Sequence, residues 1–260
     1  MEDMKDDPII SRPDGARSKA AKDKAKSVII AISSNSALFT WEDLKKEGKK
    51  VMELNFQSAD YYGQVEEKPD GEVIRQGKGV MKYQKTHPST TSINCRIYEG
   101  TWEDDLRHGE GYEHFENGNV YKGSFQKGRA HGKGVYTWNS GEVYEGEWVK
   151  GHKHGRGVWK GQSGEYFIGD WKRSKPHGYG MHIWKNQDLY EGEWKQGLKC
   201  GNVTDIFENG DVYVGDYVDG KFNGKGKFMW HQGMVYEGDF KDGMRHGKGI
   251  WRESNTPNAT

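Results

Sequence analysis

The sequence predicts an all-β protein in which tandem hairpins form one elongated, twisted antiparallel sheet, preceded by a short helix. Three observations lead to this prediction: a repeat of constant length, alternation of aromatic and polar residues within it, and glycine-containing turns at fixed positions. The composition agrees, because only 33% of the residues are hydrophobic while 10 Trp, 14 Tyr and 37 Gly are present. Such a chain suits a sheet covered by rings better than a layered aliphatic core.

The repeat is a Tyr-x-Gly-x-aromatic motif that recurs every 23 residues. Its first residues are Tyr98, Tyr121, Tyr144, Phe167, Tyr190, Tyr213 and Tyr236. Because no insertion interrupts these units, each is expected to pack on its neighbours in the same way.

Each unit has the pattern of one hairpin. In the segment 144–148, the rings and the glycine alternate with Glu145 and Glu147, so rings and carboxylates are predicted on opposite faces of a strand. The segment 154–157, His-Gly-Arg-Gly, then opens a second strand, and pairs such as Asn117-Gly118 supply the turn into the next unit. Acidic residues are expected to lie opposite basic ones on the other face of the sheet. The acids are Glu145, Glu147, Glu191 and Glu193, and the bases are Lys133, Arg156, Lys225 and Lys248.

The ring-bearing face is the predicted protein-binding groove, because a single sheet of this length, on the order of 75 Å, cannot bury both of its faces. The groove residues predicted from the first strands are Trp102, Phe125, Tyr144, Trp148, Trp171, Tyr190, Trp194, Tyr217 and Phe240. Those predicted from the second strands are Trp138, Trp184 and Trp230. The glycines predicted to let rings lie on the backbone are Gly100, Gly123, Gly146, Gly169, Gly192, Gly215 and Gly238.

Eight units are assigned to residues 61–252, and the first of them is degenerate. It has Val65 in place of the aromatic residue and two insertions, one ahead of Gly77 and one at residues 85–94. In the fifth regular unit, residues 200–203 lack the His and the second Gly, which leaves the geometry of that turn open.

The two ends of the chain carry different expectations. Residues 39–56 are predicted to form an amphipathic helix that caps the first hairpin, since residues 40–43 resemble a capping box and Leu44, Val51 and Met52 share a helical face. Residues 1–38 are predicted to be a polar, partly basic tail, either solvated or tethered to an acidic surface such as tubulin or anionic lipid. Residues 253–260 are predicted to be a polar tail.

The sequence offers no catalytic, metal or cofactor constellation. Five histidines recur in successive units, but units about 9 to 10 Å apart cannot place imidazoles around one zinc ion. They are His108, His131, His154, His177 and His246. Equal numbers of basic and acidic residues, 39 each, argue against nucleic acid as a partner. Only Cys95 and Cys200 occur, so a reduced, cytoplasmic setting is expected.

The Tyr-x-Gly-x-Trp motif, followed by His-Gly-x-Gly in a 23-residue period, resembles the MORN repeat (membrane occupation and recognition nexus). Proteins of this family serve as radial-spoke and other axonemal scaffolds, as membrane-contact proteins and as accessory segments of enzymes. The resemblance is to the small radial spoke head type, and it implies a non-enzymatic scaffold of the cytoskeleton, in the axoneme of a cilium or flagellum. Its groove would bind an extended segment or a helix of a neighbouring axonemal subunit.

Three alternatives stay open alongside the axonemal scaffold. One is an adaptor that tethers the cytoskeleton to a phosphoinositide-containing membrane, and balanced charge makes this lipid partner the less favoured one. Another is a protein that regulates an enzyme in trans. The third alternative concerns oligomeric state: two copies of the chain could form a homodimer, which is compatible with any of these functions.

Overall fold

The computed structural model describes residues 41–46, 48–84 and 95–253. These residues form one short helix, α1 (Trp41–Lys46), and one antiparallel sheet of 17 strands, which confirms the predicted fold class. The strands are β1 (Val51–Phe56), β2 (Ala59–Glu67), β3 (Val73–Tyr83), β4 (Ile97–Glu103), β5 (Leu106–His114), β6 (Val120–Gln126), β7 (Arg129–Thr137), β8 (Val143–Val149), β9 (His152–Lys160), β10 (Tyr166–Lys172), β11 (Lys175–Ile183), β12 (Leu189–Lys195), β13 (Leu198–Ile206), β14 (Val212–Val218), β15 (Lys221–Met229), β16 (Met234–Lys241) and β17 (Met244–Glu253).

Every strand pairs with the strands that precede and follow it in sequence, and β1 and β17 form the two edges of the described sheet. Strands β2 to β17 are the eight predicted hairpins, including the degenerate first unit. Neighbouring units are aligned by glycine pairs such as Gly134 opposite Gly146. This register places Lys133 opposite Glu147, as predicted for the charged face. The prediction is wrong for Glu145, Glu191 and Glu193, which lie opposite uncharged residues. The strand β17 also includes Glu253, one residue beyond the predicted end.

A bulge interrupts the pairing in every hairpin from β2 to β17, and in all but β12–β13 it follows a glycine pair. In β8 and β9 the register shifts between Gly146 and Glu147, and Gly155 adopts a left-handed φ of 53°. The Glu147 carboxylate accepts a hydrogen bond from the backbone N–H of Arg156 at 3.2 Å. The acid at this motif position therefore supports the bulge as well as pairing with charges. The fifth regular unit keeps the same bulge, because Gly201 is also left-handed at 72°.

The helix predicted over residues 39–56 is wrong beyond Lys46. Gly48 adopts a φ of 66°, which suits the end of a helix, and the segment Val51–Phe56 pairs with β2 as an additional strand. The prediction failed because Val51 and Met52 fit a helical face and a strand equally well, and pairing with β2 decides between them. The short α1 does pack on the first hairpin, since Leu44 is 1% exposed and its carbonyl accepts a hydrogen bond from Gln64 Nε2 at 3.1 Å.

Several predictions fall outside the described residues. They concern the N-terminal tail, the capping-box residue Thr40, the insertion at residues 85–94 and residues 254–260 of the C-terminal tail.

The core of the sheet is a continuous ladder of rings. Each ring at the first motif position meets two rings edge to face: Tyr144 lies 5.2 Å from Trp148 in its own hairpin and 5.3 Å from Trp171 in the next. No ladder ring is more than 7% exposed. In spatial order the ladder is Tyr61, Trp102, Tyr98, Phe125, Tyr121, Trp148, Tyr144, Trp171, Phe167, Trp194, Tyr190, Tyr217, Tyr213, Phe240 and Tyr236.

The polar ends of the ladder rings other than Tyr217 donate to backbone carbonyls. The Tyr144 hydroxyl donates to the Glu147 carbonyl at 3.1 Å, and Trp171 Nε1–H donates to the Gly157 carbonyl of the preceding unit at 3.3 Å. The tyrosine ring lies on the glycine pair, so that a Cβ on Gly146 or Gly157 would be 2.6 or 2.4 Å from the Tyr144 hydroxyl oxygen. The first-strand glycines thus give each ring its space.

Candidate protein-binding surface

The nine first-strand rings assigned to the groove lie in the core, which corrects that assignment. Each is at most 7% exposed because its neighbours in the ladder cover its edges and faces. The rings are Trp102, Phe125, Tyr144, Trp148, Trp171, Tyr190, Trp194, Tyr217 and Phe240. So little exposed area leaves them no surface on which to anchor a partner.

The other three predicted groove residues, Trp138, Trp184 and Trp230, are half-buried and lie on the same face. Tyr136 pairs with Tyr121 across the strands, and Trp138 follows two residues later, 4.6 Å from the Tyr136 ring. These second-strand rings pack against the ladder and keep an accessible side. The set comprises Phe115, Tyr136, Trp138, Trp159, Trp184, Phe207, Phe228 and Trp230, and the half-buried rings of Tyr83 and Phe222 also pack against the core.

Cations from the hairpin tips lie among these rings. They recur every 46 residues, or two units, as Arg107, Lys153, Lys199 and Arg245. Each pairs across its hairpin with the ring at the fifth motif position, as Lys153 does with Trp148. Lys153 Nζ is 4.2 Å from the centroid of the Trp171 ring, and Lys199 Nζ is 4.4 Å from that of Trp184. Cation–π contacts of this kind stabilise by about 0.5 to 2 kcal/mol each.

We name the half-buried second-strand rings and these four cations the ring-and-cation surface. The sequence-based prediction found three of its rings and missed its cations. The sequence does contain a signal for these cations, because the hairpin-tip position alternates between a cation and an apolar residue. The apolar residues are Ala130, Pro176 and Phe222.

Two buried carboxylates neutralise two of the cations. Glu113 is 2.5 Å from Arg107, and Asp205 is 2.6 Å from Lys199. Asp205 also accepts a hydrogen bond from the Tyr217 hydroxyl, and burial together with this carboxylate raises the pKa of Tyr217. The Asp205 side chain is 1% exposed and contacts both Lys199 and Tyr217, so it belongs to the structure of this unit.

Burial changes the protonation of two groups on the surface. It lowers the pKa of Lys153 to about 8, against a smaller opposing effect of Glu142. It also lowers the pKa of His182 to about 4, with Lys199 adding to the effect, so His182 is neutral at neutral pH. The His182 ring stacks on Trp184 at 4.1 Å and acts there as an aromatic surface residue.

The described residues show no other kind of site. No three His, Cys, Asp or Glu side chains among them are placed to hold a metal ion, and Cys95 and Cys200 are free thiols. Within the same residues, no helix has the length and apolar character needed to cross a bilayer.

Comparison with known proteins identifies the repeat. Matches to the MORN repeat family extend over more than half of the chain, at residues 98–120, 121–143, 144–166, 167–189, 190–202, 213–235 and 236–252. No curated protein matches the chain.

Two solved structures show a remote likeness. One is the TCP domain of Drosophila melanogaster SAS-4 (dCPAP) in complex with a proline-rich motif of Ana2 (dSTIL), at 14% identity and a TM-score of 0.38, covering 66% of this chain and 92% of that one. The other is the TCP10 domain of Danio rerio CPAP, at 13% identity and a TM-score of 0.38, covering 81% and 93%. Likeness at this level carries no argument about function. The seven repeat matches do establish the family, and the chain belongs to the MORN-repeat family.

Proposed function

We propose that the protein is a non-catalytic scaffold that binds other proteins through the ring-and-cation surface, as a subunit of a ciliary axonemal complex such as the radial spoke. The observation that carries this proposal is the half-buried row of second-strand rings beside a core that is already filled. These rings are not needed to fill the ladder, and their exposed sides repeat along the sheet.

The chemistry of the surface supports a protein partner. Trp, Tyr and Arg are the residues most enriched at binding hot spots, and all three occur here beside Phe and Lys. Units repeat about every 9.6 Å, so an extended segment or a helix of a partner would contact several units in turn. The ladder holds the rings in fixed positions, which reduces the entropy lost when a partner binds.

The axonemal part of the proposal rests on the resemblance to the small MORN proteins of radial spoke heads. The repeats span most of the chain, and the balanced charge of 39 basic and 39 acidic residues favours a protein partner over an anionic membrane. Localisation to the cytoplasm, the cytoskeleton and the axoneme of a cilium or flagellum belongs to the same proposal.

The test uses tagged full-length protein in ciliated cells. Wild-type protein is expected to stay with detergent-extracted axonemes and to co-purify with axonemal subunits. The double variant Trp138→Ala/Trp184→Ala is expected to lose both properties while far-UV circular dichroism shows an intact sheet. The control is Tyr179→Ala, which removes a ring that is 51% exposed on the opposite face.

Two results would count against the proposal. Equal axonemal retention of the double variant would show that the surface does not bind the partner. Absence from axonemes, combined with salt-sensitive flotation of the protein on phosphoinositide vesicles, would favour the membrane adaptor instead.

A further inference from the structure

Lys153 differs from the other cations of the ring-and-cation surface. The residue six positions after Arg107 is Glu113 and the one six positions after Lys199 is Asp205, and each forms an ion pair with its cation. The corresponding residue for Lys153 is Trp159. In the part of the chain that the structure describes, Lys153 Nζ has neither an ion pair nor a hydrogen bond.

The fourth cation, Arg245, is a different case. It also has a tryptophan, Trp251, six positions later, but it is exposed on β17 and water can solvate its guanidinium. Lys153 is half-buried, with its ammonium 4.2 Å from the Trp171 ring centroid, 5.3 Å from that of Tyr144 and 5.5 Å from that of Trp138. Its charge is therefore partly removed from water without a carboxylate to compensate.

The unit that contains Lys153 also lacks one of the rings that its neighbours carry. The ring position at the end of the second strand is Trp138 in the preceding unit and Trp184 in the following one, but Gly161 in this unit. The Glu165 side chain lies over the glycine instead, with Oε1 2.2 Å from the position that a Cβ on Gly161 would take. The row of rings is therefore interrupted at the level of the uncompensated cation.

We propose that Lys153 is the point at which the surface recognises its partner, by pairing with an Asp or Glu carboxylate of an extended segment whose flanking apolar side chains lie on Trp138 and Trp159. This inference rests on the proposed function and names the chemistry of the partner.

Charge complementarity favours one carboxylate at this level. At the neighbouring cation levels, about 19 Å away on either side, Glu113 and Asp205 already neutralise Arg107 and Lys199. A partner carboxylate at either of those levels would be repelled by Glu113 or Asp205, because the cation there is already paired. Glu142 also acts on Lys153, so the excess positive charge at this level is small and matches one carboxylate better than a multiply charged phosphoinositide headgroup.

The pairing has a defined pH dependence. Burial lowers the pKa of the Lys153 ammonium to about 8, and Glu142 is the charged group that acts against this change. Between pH 7 and pH 9 the protonated fraction falls about tenfold, so affinity for a carboxylate is expected to fall as pH rises through this range. A partner held by apolar contacts alone would show no such decrease.

The experiment selects short peptides from a random displayed library on the immobilised full-length chain at pH 7. Peptides are kept only when they fail to bind the folded Trp138→Ala/Trp184→Ala variant. We expect them to contain Asp or Glu, and to lose at least about tenfold in affinity on Lys153→Met, which keeps the apolar stem and removes the charge. The charge-matched control is Lys172→Met, an exposed lysine at the end of β10, and it should leave affinity unchanged.

The outcomes separate the two proposals. Surface-dependent peptides that lack an acid, or that bind Lys153→Met as well as wild type, would overturn the role of Lys153 and leave the proposed function standing. Recovery of no surface-dependent peptide would overturn both. Flotation on phosphatidylinositol bisphosphate vesicles that requires Lys153 would overturn the peptide proposal in favour of a lipid phosphate.

Discussion

Replacing Trp171 by alanine should destabilise the protein far more than replacing Trp138. Trp171 is 5% exposed, meets Phe167 and Tyr144 edge to face at 5.0 and 5.3 Å, and donates a hydrogen bond to the Gly157 carbonyl. Truncation of a buried tryptophan costs about 3 to 5 kcal/mol, and each edge-to-face pair accounts for about 0.5 to 1.5 kcal/mol beyond area. We therefore expect a loss of about 4 kcal/mol for Trp171→Ala.

The matched variant is Trp138→Ala. This ring is half-buried and contacts Tyr136 at 4.6 Å, so we expect a loss of about 1 to 2 kcal/mol. The assay is urea denaturation of the full-length chain followed by far-UV circular dichroism, with the midpoints compared at equal transition slopes. Equal losses for the two variants, or a larger loss for Trp138→Ala, would refute the assignment of the ladder as core.

Three further predictions concern the ladder and Lys153. Gly157→Ala should lower the free energy of unfolding by about 1 to 3 kcal/mol because its methyl would overlap the Tyr144 hydroxyl. Gly141→Asn, in a turn where no atom lies within 4 Å of the added Cβ, should lower it by under about 1 kcal/mol. Lys153 has a lowered pKa of about 8 in the folded chain, so above that pH the unfolded chain binds more protons than the folded one. The free energy of unfolding should therefore rise from about pH 8 to pH 10 in urea denaturation, and Lys153→Met should abolish this rise. Burial raises the pKa of seven ladder tyrosines above the usual 10, namely Tyr61, Tyr98, Tyr121, Tyr144, Tyr190, Tyr213 and Tyr217. The stability that they contribute is complete below pH 10 and should fall above it by about 1.4 kcal/mol per tyrosine per pH unit, with phenolate absorbance appearing together with unfolding.

Most of the fold could be predicted because its information is local. The constant spacing from Tyr98 to Tyr236 requires identical packing of successive units, and the alternation within residues 144–148 shows which side chains share a face. In the described sheet only consecutive strands pair, so the prediction did not depend on long-range topology.

The depth of burial could not be predicted in the same way. Alternation places Tyr144 and Trp138 on one face. It does not show that rings of its own and the next unit bury Tyr144 completely, whereas Trp138 stays half-buried. The structural roles of Glu147 and Asp205 were hidden for the same reason, since their partners depend on the bulge and on the hairpin tip. The helix prediction for residues 51–56 failed because the spacing of their apolar residues fits both a helix and a strand.

The most direct test labels the chain with 5-fluorotryptophan and records fluorine NMR spectra in light and heavy water, before and after adding a peptide selected on the surface. Signals of Trp138, Trp159, Trp184 and Trp230 should show a solvent isotope shift, and those of Trp138 and Trp159 should also move when the peptide binds. Signals of the ladder residues Trp102, Trp148, Trp171 and Trp194 should show neither effect. Solvent-exposed ladder signals that move on binding, with the second-strand signals unchanged, would contradict the division between core and binding surface.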